Sequence, residues 1–240
     1  MTIKTILFDL DGTLLPMNQD LFIKYYFSAL AEKLAPLGYN KDTLIKSILS
    51  GIKSMVMNDG SRTNEEAFWE AFCAGVGRDC RSDMPVFESF YNKEFAAAKK
   101  SCQPTKKSKE LIDFIKAAGK QIILATNPLF PYVATKNRIC WAGLSTEDFA
   151  LITTYENSNY CKPNPKYYTE ILEKFDLKPE ECLMVGNNAE EDMIAETLGM
   201  NVFLLTDCLI NEKNVDISNY PQGGFKELKN YISTLFANDN

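Results

Sequence analysis

This sequence contains no histidine among its 240 residues. The absence excludes Ser-His-Asp triads, Cys-His pairs and histidine-ligated metal ions. Any acid–base chemistry must therefore depend on carboxylates, lysine, tyrosine, cysteine or a bound metal ion.

Long apolar runs and an excess of basic residues are also missing. No run approaches the roughly 18 residues that a membrane span requires. A net charge of -6 and a pI near 4.9 argue against a nucleic-acid partner or a membrane partner. The N-terminus lacks the regions of a signal peptide, so we expect a cytoplasmic protein. The oligomeric state cannot be read from the sequence.

The seven cysteines do not have the spacing of a metal or redox site. Their number is odd, and no two of them form a Cys-x-x-Cys pair. Free thiols in a reducing compartment are therefore favoured over structural disulfides.

The apolar residues that are present, 45% of the chain, suffice for a substantial core. Five short apolar runs have the length of buried strands, and their continuous apolar character indicates a parallel sheet covered on both faces. Segments with helical periodicity alternate with the later runs, which predicts a doubly wound α/β domain. The predicted strands are 3–8, 121–126, 149–154, 182–187 and 201–206, and the predicted helices are 108–120, 164–175 and 190–199.

The interval between the first two strands breaks this alternation, because it contains helix signals and no convincing strand. Four amphipathic segments occur there, and the third opens with a capping box formed by Thr63 and Glu66. We predict a Rossmann-like core, residues 1–15 and 104–240, with an inserted α-helical bundle as a cap domain, residues 16–103. The aromatic stripes of this bundle are interpreted as packing.

Polar side chains follow the ends of four predicted strands. The carboxyl ends of parallel strands define the crevice in which ligands bind, so these side chains are expected to converge. Each has a plain alternative as a turn residue, a strand end, a solvated lysine or a helix N-terminus. They are Asp9 and Asp11 after the first strand, Thr126 and Asn127 after the second, Lys162 after the third and Asp192 after the fourth.

On these residues the sequence resembles the haloacid dehalogenase-like superfamily. Members of that superfamily have a Rossmann-like sheet and a cap domain, and helical caps are inserted between motifs one and two. This chain has its predicted bundle in that interval. The first motif, Asp-x-Asp-x-Thr, corresponds to Asp9-Leu10-Asp11-Gly12-Thr13, the second ends in Thr126, the third is Lys162-Pro163, and the fourth runs from Gly186 to Asp192.

The resemblance implies a phosphatase that forms a covalent intermediate. Asp9 would attack phosphorus and become an aspartyl-phosphate, and Asp11 would act as general acid and then as general base. An ordinary pKa near 3.9 leaves Asp9 ionised at neutral pH, whereas Asp11 needs its pKa raised by ~3 units, or ~4 kcal/mol. The groups expected to bind phosphoryl oxygens are Gly12, Thr126, Asn127 and Lys162.

The resemblance also implies a Mg²⁺ ion, because oxygen ligands and clustered negative charge suit a hard cation. Its expected ligands are Asp9, Asp11, Asn187 and Asp192. The usual Gly-Asp pair of motif four reads Gly186-Asn187 here, so one negative charge is missing and weaker Mg²⁺ binding is expected. The alternative is that Asn187 only caps the following helix.

The polar loop 57–63 is the part of the predicted cap that would meet a substrate. Arg62 follows Asp59-Gly60-Ser61 and precedes a helix start, so we predict that it contacts substrate when the cap closes. An ordinary surface loop is the alternative interpretation.

The motifs leave more than one function open. The leading prediction is a Mg²⁺-dependent phosphatase of a small phosphorylated metabolite, and the nearest alternative is a phosphomutase, which returns the phosphoryl group to a sugar. A non-catalytic member that binds a phospho-ligand would be expected to have lost Asp9 or Asp11, and both are present. Dehalogenases of this superfamily use neither Mg²⁺ nor the second acid, so Asp11 argues against that activity.

Overall fold

Residues 2–237, which the computed structural model describes, contain six parallel strands. These are β1 (Thr5–Phe8), β2 (Gln121–Leu124), β3 (Leu151–Ile152), β4 (Cys182–Gly186), β5 (Asn201–Leu205) and β6 (Gln222–Gly223). They form one sheet in the order β3-β2-β1-β4-β5-β6. The five predicted strands are all present, and the predicted Rossmann-like α/β fold is confirmed. The short β6 was not predicted.

Each central strand is buried on both faces, because its side chains alternate between two hydrophobic clusters. In β1, Ile6 and Phe8 belong to one cluster and Leu7 belongs to the other, and all three are fully buried. Leu183 and Met184 of β4 are divided in the same way. The continuous apolar runs of the sequence therefore correspond to strands that are covered on both sides.

Eight α-helices lie within the described residues. They are α1 (Gln19–Leu34), α2 (Lys41–Val56), α3 (Asn64–Val76), α4 (Met84–Asn92), α5 (Lys106–Ala117), α6 (Tyr132–Trp141), α7 (Pro165–Lys174) and α8 (Phe225–Ala237). Helices α1 to α5 separate β1 from β2, and α1 to α4 lie within the predicted cap, residues 16–103. The predicted capping box of Thr63 and Glu66 is present at the start of α3. None of the helices in this part of the chain is long and apolar enough to cross a membrane.

The chain enters and leaves this helical insertion through two adjacent segments. Met17 and Cys102 form an antiparallel bridge, and the amide of Gln103 donates to the carbonyl of Pro16 at 2.7 Å. The paired segments lie at the predicted bounds of the cap, residues 16–103. That division into domains stays a prediction.

Hydrophobic packing continues from the insertion into the rest of the molecule. Phe95 stacks on Trp141 of α6 with ring centroids 5.0 Å apart, and Phe22 of α1 meets the edge of Phe130 at 6.1 Å. These aromatic residues are packing residues, as predicted. They pack the insertion against α6 and against the segment that precedes α6.

Some local predictions were wrong. The segment predicted as a helix at 190–199 forms a turn and a 3-10 helix, Met193–Leu198, and α6 occupies a stretch for which no helix was predicted. The seven cysteines are free thiols.

Candidate active site

The candidate site lies beyond the carboxyl end of β1. This strand pairs with β2 on one side and with β4 on the other, so the chain winds toward opposite edges of the sheet from this point. Such a switch point opens a crevice beyond the strand ends. Asp9 directly follows β1, and its backbone amide donates to the carbonyl of Val185 at 2.9 Å. The topology therefore fixes Asp9 at the crevice.

Lys162 is the buried centre of a charge cluster. Its Nζ lies 3.0 Å from Oδ1 of Asp9 and 2.6 Å from Oδ1 of Asp192, and its side chain is fully shielded from solvent. An unpaired ammonium group at this depth would cost several kcal/mol. The two carboxylates keep Lys162 charged, and Lys162 in turn holds together two acids that would otherwise repel each other.

The surroundings of this cluster change the ionisation of Asp9. Burial raises the pKa of Asp9 to about 7, although Lys162 acts in the opposite direction. Burial alone would lower the pKa of Lys162, but Asp192 and Asp9 raise it well above its ordinary value. The ordinary pKa near 3.9 that was expected for Asp9 is therefore wrong for this environment.

Asp11 has a different cationic partner, Arg138 of α6, which the sequence did not single out. Nη1 of Arg138 pairs with Oδ2 of Asp11, and Nη2 donates to the Thr135 hydroxyl at 3.1 Å. Arg138 is only 1% exposed, and its guanidinium lies 4.5 Å from the centroid of the Phe130 ring. Burial raises the pKa of Asp11, and Arg138 limits the increase. A raised pKa is what a general acid requires.

Arg138 could have been recognised from the sequence only if α6 had been predicted. The buried face of this helix includes Ala134, Ile139 and Trp141, so position 138 puts a charge on an apolar stripe. A buried charge needs a partner. That requirement points to a strand-end carboxylate, and it is the signal that was missed.

The side chain of Asn187 joins motif one to the loop after β5. Its Oδ1 accepts a hydrogen bond from the Thr13 hydroxyl at 2.9 Å, and its Nδ2 donates to the carbonyl of Cys208 at 2.7 Å. Gly12 has a φ of 85°, and a Cβ there would lie 2.3 Å from Nδ2 of Asn187. Gly12 is therefore required both by the turn and by the close approach of this amide.

Asn188, and not Asn187, makes the local turn after β4, so the capping alternative for Asn187 is wrong. Oδ1 of Asn188 accepts from the amides of Glu190 and Glu191 at 3.0 and 3.2 Å. Oδ2 of Asp192 accepts from the amide of Asn188 at 2.9 Å, and its Oδ1 binds the buried ammonium. Both oxygens of Asp192 thus have donors.

Thr126 and Asn127 follow β2 and line the crevice. The Thr126 carbonyl accepts hydrogen bonds from the hydroxyls of Thr153 and Tyr167 at 2.6 and 3.0 Å, which fixes its backbone. Nδ2 of Asn127 donates to Glu191 at 3.0 Å, whereas its Oδ1 is buried without a partner. In this orientation Asn127 offers an acceptor, so binding a phosphoryl oxygen requires its amide to turn over.

A cavity of about 590 Å³ opens between these strand ends and helices α1 and α2. Arg62 does not line it, since its guanidinium pairs with Glu70 of α3 and its side chain is 40% exposed. Lys162 lies behind the cavity wall. The predicted residues that do line the cavity are Asp9, Asp11, Thr126, Asn127, Asn187 and Asp192.

The oxygen atoms around this cavity suit a hard cation. Oδ2 of Asp9 has only a long contact, 3.4 Å from the Thr13 hydroxyl, and Oδ1 of Asp11 is buried without a partner. The amide oxygen of Asn187 keeps a second lone pair. Among residues 2–237, no three Asp, Glu, Cys or His side chains cluster tightly enough to hold a metal ion. A cation here would depend on few charges, neutral oxygens and water, as Mg²⁺ often does.

The sequence matches the family model of the haloacid dehalogenase-like hydrolases over residues 3–195. The chain belongs to this family. It is 22% identical over 209 residues to a phosphoglycolate phosphatase of Nitrosospira multiformis, covering 85% of this chain and 83% of that protein. It is 24% identical over 202 residues to the pyrophosphatase PpaX of Bacillus thuringiensis, covering 83% and 81%.

A solved structure with the same fold is that of an HAD phosphatase from Thermococcus onnurineus. It superposes with a TM-score of 0.60 at 21% identity and covers 96% of this chain and 98% of that one. The predictions of family membership and of an enzyme, a phosphatase among the haloacid dehalogenase-like hydrolases, are confirmed by these matches.

Replacing Asp9 by Asn should stabilise the metal-free hydrolase at pH 8, and the stabilisation should be less than half as large at pH 5. Asp9 titrates near pH 7 when folded and near 3.9 when unfolded, so its ionisation destabilises the fold increasingly as the pH rises between these values. At 1.36 kcal/mol per pKa unit, the substitution should raise the free energy of unfolding at pH 8 by at most about 4 kcal/mol.

Urea denaturation in EDTA measures this difference, with Asp113→Asn at an exposed position as the control. The control should leave the free energy of unfolding nearly unchanged at both pH values. If the free energies of unfolding of the Asp9→Asn protein and the wild type differ by the same amount at pH 5 and at pH 8, the pKa of Asp9 is not raised.

Replacing Arg138 by Leu should lower the free energy of unfolding by about 3 kcal/mol at pH 8, because a buried pair loses one partner while Asp11 keeps 22% exposure. The loss should shrink as the pH falls, since protonated Asp11 needs no counterion. Denaturation curves at several pH values measure it, and Arg81→Leu at an exposed position is the control. A loss that does not vary with pH would argue that packing, and not the charge pair, is responsible.

Proposed function

We propose that this chain is a Mg²⁺-dependent phosphatase that hydrolyses a small phosphorylated metabolite through an aspartyl-phosphate on Asp9. The position of Asp9 carries the proposal. One of its oxygens is bound to the buried Lys162, and the other has only a long contact within a cavity that also contains Asp11. The phosphatase names of the curated relatives support the same chemistry.

In the first step Oδ2 of Asp9 attacks phosphorus, and the bond between phosphorus and the ester oxygen of the organic group breaks. Asp11, in its protonated form, gives its proton to the departing oxygen, so the organic group leaves as an alcohol. Lys162 offsets the negative charge shared by Asp9 and the phosphoryl group. Because Lys162 is already fixed by Asp192, it needs no rearrangement to do so.

In the second step a water molecule attacks the phosphorus of the aspartyl-phosphate. Asp11, now ionised, takes a proton from this water, and Asp9 is released together with inorganic phosphate. The two influences on Asp11 suit these two roles. Burial favours its protonated form and raises its pKa, whereas the guanidinium of Arg138 favours its ionised form and limits the increase in that pKa.

Mg²⁺ would be held by the carboxylate of Asp9, the backbone carbonyl of Asp11 and the amide oxygen of Asn187. Asp192, whose Oδ1 binds Lys162 and whose Oδ2 accepts from the amide of Asn188, would act directly or through a water molecule. Bound there, the ion would neutralise charge on the phosphoryl oxygens. Asn187 adds an oxygen without a charge, so binding should be weaker than in a site with Asp at this position.

Substituting Asp9 by Asn should reduce phosphate release from p-nitrophenyl phosphate by at least about 10⁴-fold, because an amide is a poor nucleophile. Asp11→Asn should reduce it by about 10²- to 10⁴-fold, because an amide cannot exchange the proton. Asp113→Asn, with its exposed side chain, is the matched control and should retain full activity. Continuous release of phosphate over many turnovers identifies a hydrolase, whereas transfer confined to a sugar phosphate identifies a mutase. An active Asp9→Asn enzyme, free of contamination, contradicts the covalent mechanism.

Substituting Asn187 by Asp should lower the Mg²⁺ concentration for half-maximal activity, because the site gains a negative charge. The same change should destabilise the metal-free protein by about 1 kcal/mol or more, since the donor to the Cys208 carbonyl is lost. Asn187→Ala should raise the Mg²⁺ requirement, and Asn230→Asp at an exposed position is the control. Magnesium titrations of phosphate release measure these shifts. If neither Asn187 variant moves the curve, Asn187 is not a metal ligand.

A further inference from the structure

The two walls of the cavity differ in chemistry. The strand ends and the loop after β4 contribute its carboxylates and amides, whereas α1 and α2 contribute Phe22, Ile23, Phe27, Leu49 and Ile52. The wall formed by the two helices thus consists mostly of hydrocarbon side chains. A substrate whose phosphoryl group lies at Asp9 has this wall as the environment of its organic group.

Ile23 and Leu49 are unusual because they remain half exposed, at 50% and 51%. They belong to different helices of the insertion, yet both line the same cavity. Leu21 of α1 and Val56 of α2 are also large and exposed, each at 39%, but they lie outside it. Two apolar side chains that face the cavity and lack a full complement of neighbours can gain burial from a ligand.

This wall offers few polar groups to a substrate. The hydroxyl of Tyr26 is hydrogen-bonded to that of Tyr91 at 3.0 Å, and the Phe130 ring is covered by the guanidinium of Arg138. Gln19 is the remaining polar side chain that α1 contributes to the lining. A strongly polar organic group would therefore leave most of its hydrogen bonds unmade.

The charges around the cavity also oppose a second negative group on the substrate. The cationic side chains that line it are already paired, Arg138 with Asp11 and Lys213 with Glu190. Glu191 and Glu212 line it as well. A distal carboxylate or second phosphate would lie among these acids without a free cation.

We propose that the organic group of the substrate is uncharged and apolar, an alkyl or aryl group that packs on Ile23 and Leu49. This inference rests on the proposed function, since it concerns the ester whose phosphoryl group Asp9 receives. It assigns Ile23 and Leu49 as the residues that set specificity. It also explains why an exposed isoleucine and an exposed leucine face a cluster of carboxylates.

The test compares kcat/KM for ethyl, butyl and hexyl phosphate in Mg²⁺. These esters have leaving groups of similar basicity, so a trend with chain length reports contact with the cavity wall. Each added methylene should raise kcat/KM about threefold until the wall is covered. Phosphoglycolate, which adds a carboxylate, should be at least about tenfold poorer than ethyl phosphate. A flat series, or a preference for phosphoglycolate, overturns the inference.

Variants identify the side chains responsible. Ile23→Ser and Leu49→Ser should each reduce the increase in kcat/KM per added methylene, because a hydroxyl replaces the hydrocarbon contact. Leu21→Ser and Val56→Ser change similarly exposed positions of the same two helices outside the cavity. In these two variants kcat/KM should rise with chain length as it does in the wild type. Equal effects of all four substitutions would mean that Ile23 and Leu49 only support the fold, and the assignment would be lost.

Calorimetric titration with ethylphosphonate and hexylphosphonate separates this inference from the proposed function. These analogues bind without being hydrolysed, so chain-length preference can be measured whether or not the protein turns over esters. Tighter binding of hexylphosphonate by at least about tenfold supports the apolar wall even if no ester is hydrolysed, in which case the phosphatase proposal alone fails. Equal affinities overturn the inference even if the esters are hydrolysed.

Discussion

The buried ammonium group of Lys162 is the constraint on which the rest of the site depends. A cation at this depth is stable only beside carboxylates, and the fold supplies one from the end of β1 and one from the loop after β4. Asp9 and Asp192 are therefore held at fixed positions before any substrate binds. The central position of β1 in the sheet also determines where Asp9 lies. The sheet topology and the charge of Lys162 therefore fix Asp9 at the same place.

A second charge pair gives Asp11 a role different from that of Asp9. Two acids separated by one residue have different cations, Lys162 for Asp9 and Arg138 for Asp11, and the two cations come from different parts of the chain. Similar groups placed in different surroundings can take different parts in a reaction. In this site the acid beside the ammonium suits attack on phosphorus, and the acid beside the guanidinium suits proton transfer.

The sequence predicted the parts of the structure that depend on local pattern. The alternation of apolar runs with helical segments predicted the sheet. The polar residues at the strand ends identified Asp9, Asp11, Lys162 and Asp192 as candidate site residues. Arg138 was not predicted, because its meaning depends on α6 packing against the strand ends. The ordinary pKa expected for Asp9 was wrong, because the burial of a carboxylate cannot be predicted from a motif.

A contact across a long stretch of chain explains the role of Asn187, and a contact within the insertion fixes Arg62. The amide of Asn187 bridges Thr13 and the carbonyl of Cys208, a role that no local spacing indicates. Arg62 pairs with Glu70, eight residues further along the chain, and its contact with substrate on closure of the cap stays a prediction. Residues that act through distant partners are thus the ones for which sequence patterns are least informative.

The central claim, that the phosphoryl group is transferred to Asp9, is tested most directly by trapping the intermediate. The enzyme is mixed with a substrate ester in Mg²⁺, quenched with acid during turnover, digested and mapped by mass spectrometry. The account predicts one added phosphoryl group on the peptide that contains Asp9, and none in the Asp9→Asn protein. A phosphoryl group on another residue, or turnover by wild-type enzyme with no phosphorylated peptide under conditions that preserve acyl phosphates, would contradict it.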